Sequence, residues 1–460
     1  MDSASAGMLE TRPRRNSRLT RIPLWLIVFS LFAGAGILQS LSVDWTRPLS
    51  IYDEVPHIDY VLRLTEGEIT NWDDTYSQRT LGIAECLEEK SDNPQCVIAE
   101  VRDPQERWPN GYSYEAMQAP GGYLPFALAA ATAVDAAGDH YSQIRQLRVV
   151  NVGLWLIFAA IWTFLIVHVT SNRLAAAAAS VTVALNPLLF DRFTYVTNDG
   201  PAVIAATATA AWLLYFLTRR TGRWWVWVVP SIALGLAMGL IKATALIVLV
   251  PMVLAAWASF HFASKRPPTV QWWLANLLIA VTTAVSAIGY TAYINASSSS
   301  DFGTVFSIIL PKGDVDGVTA SLFRISDVSD VVTGSGSRSS AQLFEWGFNS
   351  PSAPVLLLSL AAAAAFLVSL ALHRNAFDRC RDIDPRILGF AVLAGFLMMV
   401  IANPLLHYLR GEFLMPFGIG RFQATLLPLA GLAMLPAFTR FRGWSVAMIV
   451  GGLIVAAFAS

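Results

Sequence analysis

The chain has 460 residues, of which 55% are hydrophobic and 14% charged, more apolar surface than one water-soluble core can hide. Lysine plus arginine equals aspartate plus glutamate, 32 each, so overall charge gives no reason to expect nucleic acid or an acidic surface as partner. Several stretches stay apolar for the roughly 17 to 22 residues a helix needs to cross about 30 Å of hydrocarbon with its backbone satisfied internally.

The chain begins with a basic head, "TRPRRNSRLTR" (11–21). The apolar run behind it, 22–41, is longer than a signal-peptide core and is not closed by an A-x-A site, so it reads as an uncleaved first crossing. The arginines keep residues 1–21 in the cytoplasm as a tail, and the chain emerges outside near Ser42. Residues 22–460 then form a single multi-pass domain. Its crossings number about eleven: 22–41, 149–169, 174–190, 200–218, 224–241, 243–261, 271–293, 352–372, 387–406, 419–437 and 443–459. The ambiguous segment 120–138 is placed on the outer face, because only then do "TRRTGR", "SKRPP", "HRNAFDRCRDIDPR" and "TRFR" all lie inside. The fold class is thus an all-α integral membrane protein, with an extracytoplasmic first loop (42–148) carrying membrane-surface helices. A second external loop (294–351), rich in Ser, Gly and Asp, reads as mobile. Cys86 and Cys96 fall outside and are expected to form a disulfide, whereas Cys380 falls on the cytoplasmic side.

The first external stretch, "YDEVPHIDYVLRLTEGE" (52–68), combines helical apolar spacing at Val55, Ile58 and Leu62 with an opposite side of Asp59, Arg63 and Glu66. It predicts an amphipathic helix on the membrane surface. Pro56 suits a first turn, so Asp53 or Glu54 stands at the helix start, where a carboxylate is favoured. A plain N-cap would account for one acid. Asp53 and His57, however, lie four apart on one face, and further polar groups return to the same membrane boundary.

Those groups are Tyr114, Glu115 and Gln118 before a Pro-Gly-Gly turn, and Asp191, Asn198 and Asp199 flanking the entry to the fourth crossing. Lys242 stands at the outer tip of a helical hairpin, where lysine is disfavoured and where an ammonium near the membrane core costs about 2.5 to 3.5 kcal/mol on insertion scales. Snorkelling is the bland explanation; an anion at the outer leaflet is the functional one. His407, Arg410 and Arg421 join it at that face, which suggests a site for a phosphorylated lipid.

These short motifs, with "EAMQAPGGYLP", "ND", "K-A-T" and "GRFQATLLPL" in this order, resemble the GT-C superfamily of integral membrane glycosyltransferases, nearest to bacterial members with a D-E-x-x-H first-loop element. The resemblance implies transfer of a hexose or pentose from a polyprenyl-phosphate donor to an extracytoplasmic glycan, lipid or protein at the plasma membrane. It maps the first-loop acid onto Asp53 or Glu54 and the second-loop acid onto Asp199 or, less well, Asp191. Independently, such a transfer needs a base for the acceptor, cations for the leaving phosphate and dry walls. Asp53 is the preferred base, Lys242 and the two arginines suit the phosphate, and His57 with the remaining polar groups would bind substrate. A divalent cation could be held by Asp53, Asp199 and His57, with no metal assigned. The alternative reading is a transporter or flippase of a lipid-linked saccharide, which would use the same outer cations.

Overall fold

The computed structural model describes residues 22–42, 54–88, 111–132, 140–186, 189, 192–219, 223–299, 353–372, 376–409 and 424–458. Among them there is no strand, only an isolated bridge between Thr75 and Tyr112. Helix α1 (Leu24–Ser42) is followed by α2 (Glu54–Thr65), α3 (Gln78–Glu88), two single 3-10 turns (Tyr114–Met117 and Pro120–Gly122) and α4 (Leu124–Thr132). Then come α5 (His140–Val169), α6 (Arg173–Ala184), α7 (Asp199–Thr218), α8 (Trp225–Ile241), a 3-10 stretch (Ala243–Val248), α9 (Leu249–Ala263) and α10 (Val270–Ser297). The last third holds α11 (Ala353–Ala371), α12 (Pro385–Leu409), α13 (Leu427–Ala433), α14 (Leu435–Arg440) and α15 (Arg442–Phe458).

Among the described residues, four stretches are long and apolar enough to cross a membrane by length and composition: Ser142–Val169, Asp199–Thr218, Ala243–Ala263 and Val270–Ser297. Along α10, Val270, Leu277, Val281, Val285 and Ile288 are exposed. Their spacing forms an apolar stripe of the kind that lipid, not water, would cover. The interior is built differently. Helix α6 is a run of alanines buried on every side, small enough for α1, α5 and α15 to close around it. Its start is fixed by Asn172, whose side chain accepts a bond from the Ala175 N–H.

Several predicted boundaries move. The helix expected over 174–190 ends at Ala184, since Pro187 lies just beyond it. The expected crossing 419–437 is broken within its described part: a 3-10 turn (Ala424–Leu426) leads into α13 and α14, and Pro428 and Pro436 stand in their first turns. Within the segment kept on the outer face, α4 has nine residues, roughly 13 Å at 1.5 Å per residue, too short to span. Helix α2 forms where the periodicity places it, but its polar side opens to water only toward its end: Arg63 is half-buried and Glu66, just past the helix, is exposed. Asp59 is fully buried and accepts from the Ser77 N–H, the Thr80 hydroxyl and Arg63 at 2.8, 2.9 and 3.0 Å. The following loop supplies donors that a sequence period cannot show. Cys86 is disulfide-bonded and Cys380 is free and buried; Cys96, the expected partner, lies outside the described residues.

Candidate active site

Helix α2 enters the protein with Glu54, whose carboxylate is held from two directions. Arg148 of α5 donates Nε to Oε1 at 3.0 Å and Nη2 to Oε2 at 2.8 Å, and the Val196 N–H reaches Oε1 at 3.0 Å. Neither charged side chain meets solvent. This bidentate pair ties α2 to α5 and to the loop before α7.

One turn further, His57 Nδ1 lies 2.7 Å from the Tyr123 hydroxyl, which donates to Glu115 Oε2 at 2.9 Å. Tyr123 has a single hydroxyl proton and gives it to Glu115, so Nδ1 of His57 carries a proton and donates to the tyrosine oxygen. The imidazole is then neutral, and Nε2 is its basic side. Burial pushes His57 down to about 3, helped by the Lys242 and Arg192 charges and opposed by Asp199. Burial likewise pushes Glu115 up to about 7, with the Asp199 charge adding to it and Lys242 and the Tyr123 hydroxyl opposing. The Tyr123 ring stacks on Tyr60 at 4.5 Å between centroids. Tyr60 in turn meets the Tyr290 hydroxyl of α10 at 2.9 Å, and Tyr290 donates to the Ala116 carbonyl at 3.1 Å.

The second half of the site lies where α8 stops. Lys242 is the extended residue between α8 and the 3-10 stretch, and its ammonium is buried against Asp199 Oδ1 at 2.5 Å and Asn198 Oδ1 at 3.2 Å. Arg192 Nη1 holds the other Asp199 oxygen at 3.2 Å, and the Asn198 amide donates to Gln118 at 3.2 Å. Asp199 opens α7, where free N–H groups favour a carboxylate. Two cations thus share one acid. The close approach rests on two glycines of the Pro-Gly-Gly turn: Gly121 packs on the Leu240 carbonyl and Gly122 on Asn198.

Of the residues singled out in the sequence, Glu54, His57, Glu115, Gln118, Asn198, Asp199 and Lys242 converge here. Asp53, Asp191, Arg410 and Arg421 lie outside the described residues, and Tyr114 and His407 are described in backbone alone. Glu54, read as a candidate catalytic acid, is held by Arg148, and Asp199 by Lys242 and Arg192. Asp199 and His57, two of the three groups considered for a divalent cation, are engaged with protein partners, and among the described residues no group of three or more His, Cys, Asp or Glu could hold a metal ion. Three contributors carry only a faint signal in the sequence. Arg148 announced itself only as a cation at the outer end of an apolar run, Arg192 as a neighbour of Asp191, and Tyr123 as a ring inside "PGGYLP".

Residues 130–298 match the family model described as dolichyl-phosphate-mannose-protein mannosyltransferase. Among solved structures the chain is similar to ArnT from Cupriavidus metallidurans bound to undecaprenyl phosphate, at 14% identity and a TM-score of 0.49, over 94% of this chain and 63% of that one. The apo state of the same protein gives 13% identity and a TM-score of 0.49 over the same shares. The chain therefore spans less than two thirds of the length of these structures. No curated relative matches it. The GT-C superfamily, which the short motifs resemble, is also the one to which the family model matched over residues 130–298 belongs.

Proposed function

We propose that this membrane protein transfers a sugar from a polyprenyl-phosphate-linked donor to a hydroxyl-bearing acceptor on the extracytoplasmic side of the plasma membrane. The observation that carries the reading is the pair of cations, buried Lys242 and half-buried Arg192, sharing one carboxylate within electrostatic reach of His57. A phosphate leaving the sugar's anomeric carbon gains negative charge, and cations already fixed in a dry site stabilise it without reorganisation. The family matched over residues 130–298 is described by a lipid-phosphate-linked mannose, which supports a donor of that class. Asp53 keeps the role of base proposed from its position beside α2, and the acceptor is a glycan, lipid or protein bound by the loops.

The test is transfer by the purified chain in lipid nanodiscs, with a panel of radiolabelled polyprenyl-phosphate hexoses and pentoses. The wild type should turn over one of them, and Lys242→Met should insert normally yet bind that donor weakly and transfer nothing measurable. Donor binding unchanged in Lys242→Met would remove the phosphate role and with it the main support for the reading.

A further inference from the structure

We propose that His57, Tyr123 and Glu115 form a buried proton relay in which Glu115 is the group that finally holds the acceptor's proton. The proposal rests on the transfer reading for its chemical purpose, and on hydrogen-bond geometry for its existence.

The three side chains come from two segments, α2 and the 3-10 turns, and are linked end to end by contacts of 2.7 and 2.9 Å. All three are buried, so no bulk water competes for the intermediate proton. With Glu115 ionised, His57 gives Nδ1–H to Tyr123, and Tyr123 gives O–H to Glu115. Nε2 of His57 makes no hydrogen bond among the described residues and is the open, accepting end. A glutamate, unlike the phenol or the imidazole in this setting, can keep a proton without acquiring a buried positive charge.

The step balances as follows. The acceptor's oxygen forms its bond to the anomeric carbon, and the carbon–phosphate oxygen bond breaks with its electron pair left on the phosphate. The acceptor's O–H proton passes to His57 Nε2, directly or by way of the base that first takes it. The Nδ1 proton moves to the Tyr123 oxygen, and the Tyr123 proton moves to Glu115 Oε2. Afterwards Glu115 returns a proton along the same chain and Nε2 releases one to the departing phosphate or to water, which restores the starting tautomer.

Glu115 is faced by His57 and Tyr60 from α2, Tyr123 from its own segment, Asp199 from α7, Lys242 from the end of α8 and Tyr290 from α10. Burial raises it, Lys242 and the Tyr123 hydroxyl oppose and Asp199 adds, which leaves it near neutrality, at about 7, where a carboxylate can both accept and release a proton.

Two measurements decide the matter. Infrared difference spectra of the full chain in nanodiscs between pH 5 and 9 should show a buried carboxylic-acid band that titrates near neutrality. It should vanish in Glu115→Gln and shift in Tyr123→Phe, which deletes one oxygen and keeps the ring on Tyr60. In the transfer assay the wild-type rate should fall below about pH 7 as Glu115 fills with protons. Glu115→Gln should lose about 100-fold or more in rate, and its residual activity should lack that acid limb. Glu115 remaining ionised at pH 5, or an acid limb surviving in Glu115→Gln, would overturn the relay. If no donor is turned over, the transfer reading falls while the infrared titration still decides where the proton resides.

Discussion

Arg148 grips Glu54 through two parallel hydrogen bonds, Nε to Oε1 at 3.0 Å and Nη2 to Oε2 at 2.8 Å, with neither side chain open to solvent. A pair of this kind is weak evidence for net stability, but breaking one half leaves an uncompensated buried charge and costs about 3 to 5 kcal/mol. Glu54→Ala should therefore lower the melting temperature and the yield of inserted protein sharply, and Glu54→Leu combined with Arg148→Met should recover much of the loss. Thermal unfolding in detergent checks this. A Glu54→Gln protein that melts like the wild type yet transfers no sugar would instead make the carboxylate chemical, as its place beside Asp53 first suggested.

Lys242 and Asp199 make a different pair, because Asp199 has a second cation. Removing the ammonium in Lys242→Met leaves the carboxylate on Arg192 at 3.2 Å, so the protein should insert and fold with only a moderate loss. Adding Asp199→Asn takes the carboxylate away from Arg192 as well, so the double variant should melt no higher than the single one and should not regain donor binding. Binding of polyprenyl phosphate measured on the single and double variants separates the two effects. Equal donor affinity in wild type and double variant would confine the pair to a structural role.

These pairs show what the sequence carried and where it stopped. The helices were legible because long apolar runs have few alternatives in a chain of this composition. Lys242 was legible because an ammonium at the outer end of a hairpin conflicts with its surroundings. The acids and His57 were legible as a set facing one membrane boundary, but not who holds whom. Glu54 finds its partner 94 positions away and His57 finds Tyr123 66 positions away. Such distances leave no periodic trace. Glu54 and Asp53 are neighbours in sequence with equivalent chemistry, and only the arrival of Arg148 distinguishes the locked acid. The broken segment after residue 424 was read as one crossing since its apolar run is continuous; the prolines that interrupt it sit in first turns, where they restart a helix as readily as they end one.

The Pro-Gly-Gly turn yields a third prediction. A Cβ built on Gly122 would lie 2.8 Å from the Asn198 Cβ and 3.4 Å from the Ile241 side chain. Asn198 is the residue that spaces Lys242 and Gln118, each at 3.2 Å. Gly122→Ala should displace it by a fraction of an ångström at an overpacking cost of about 1 to 3 kcal/mol, and lower transfer by up to about 100-fold. Gly153→Ala on α5, where a Cβ meets nothing within 4 Å, is the matched control and should be neutral or slightly stabilising. Equal activity of the two variants would mean that the turn does not position the site.

The buried acid and imidazole predict opposite responses of stability to pH. Glu115 is raised in the folded protein from its ordinary 4.5 to about 7, so the folded state binds the proton more tightly. Its contribution is complete below pH 4.5 and is lost as pH rises through 7. His57 is lowered from 6.5 to about 3, so the unfolded state is the one that binds protons. Its contribution is complete above pH 6.5 and is lost as pH falls toward 3. Melting temperatures measured from pH 4 to 9 should accordingly cross over between wild type and variants. Glu115→Gln should gain on the wild type as pH rises from 4.5 to about 7 and keep that gain above, because it has no charge to bury. His57→Gln should gain on the wild type as pH falls below 6, because it has no proton to exclude. Parallel curves for wild type and Glu115→Gln would show that Glu115 keeps the same affinity for protons folded and unfolded, and would count against the environment described for it.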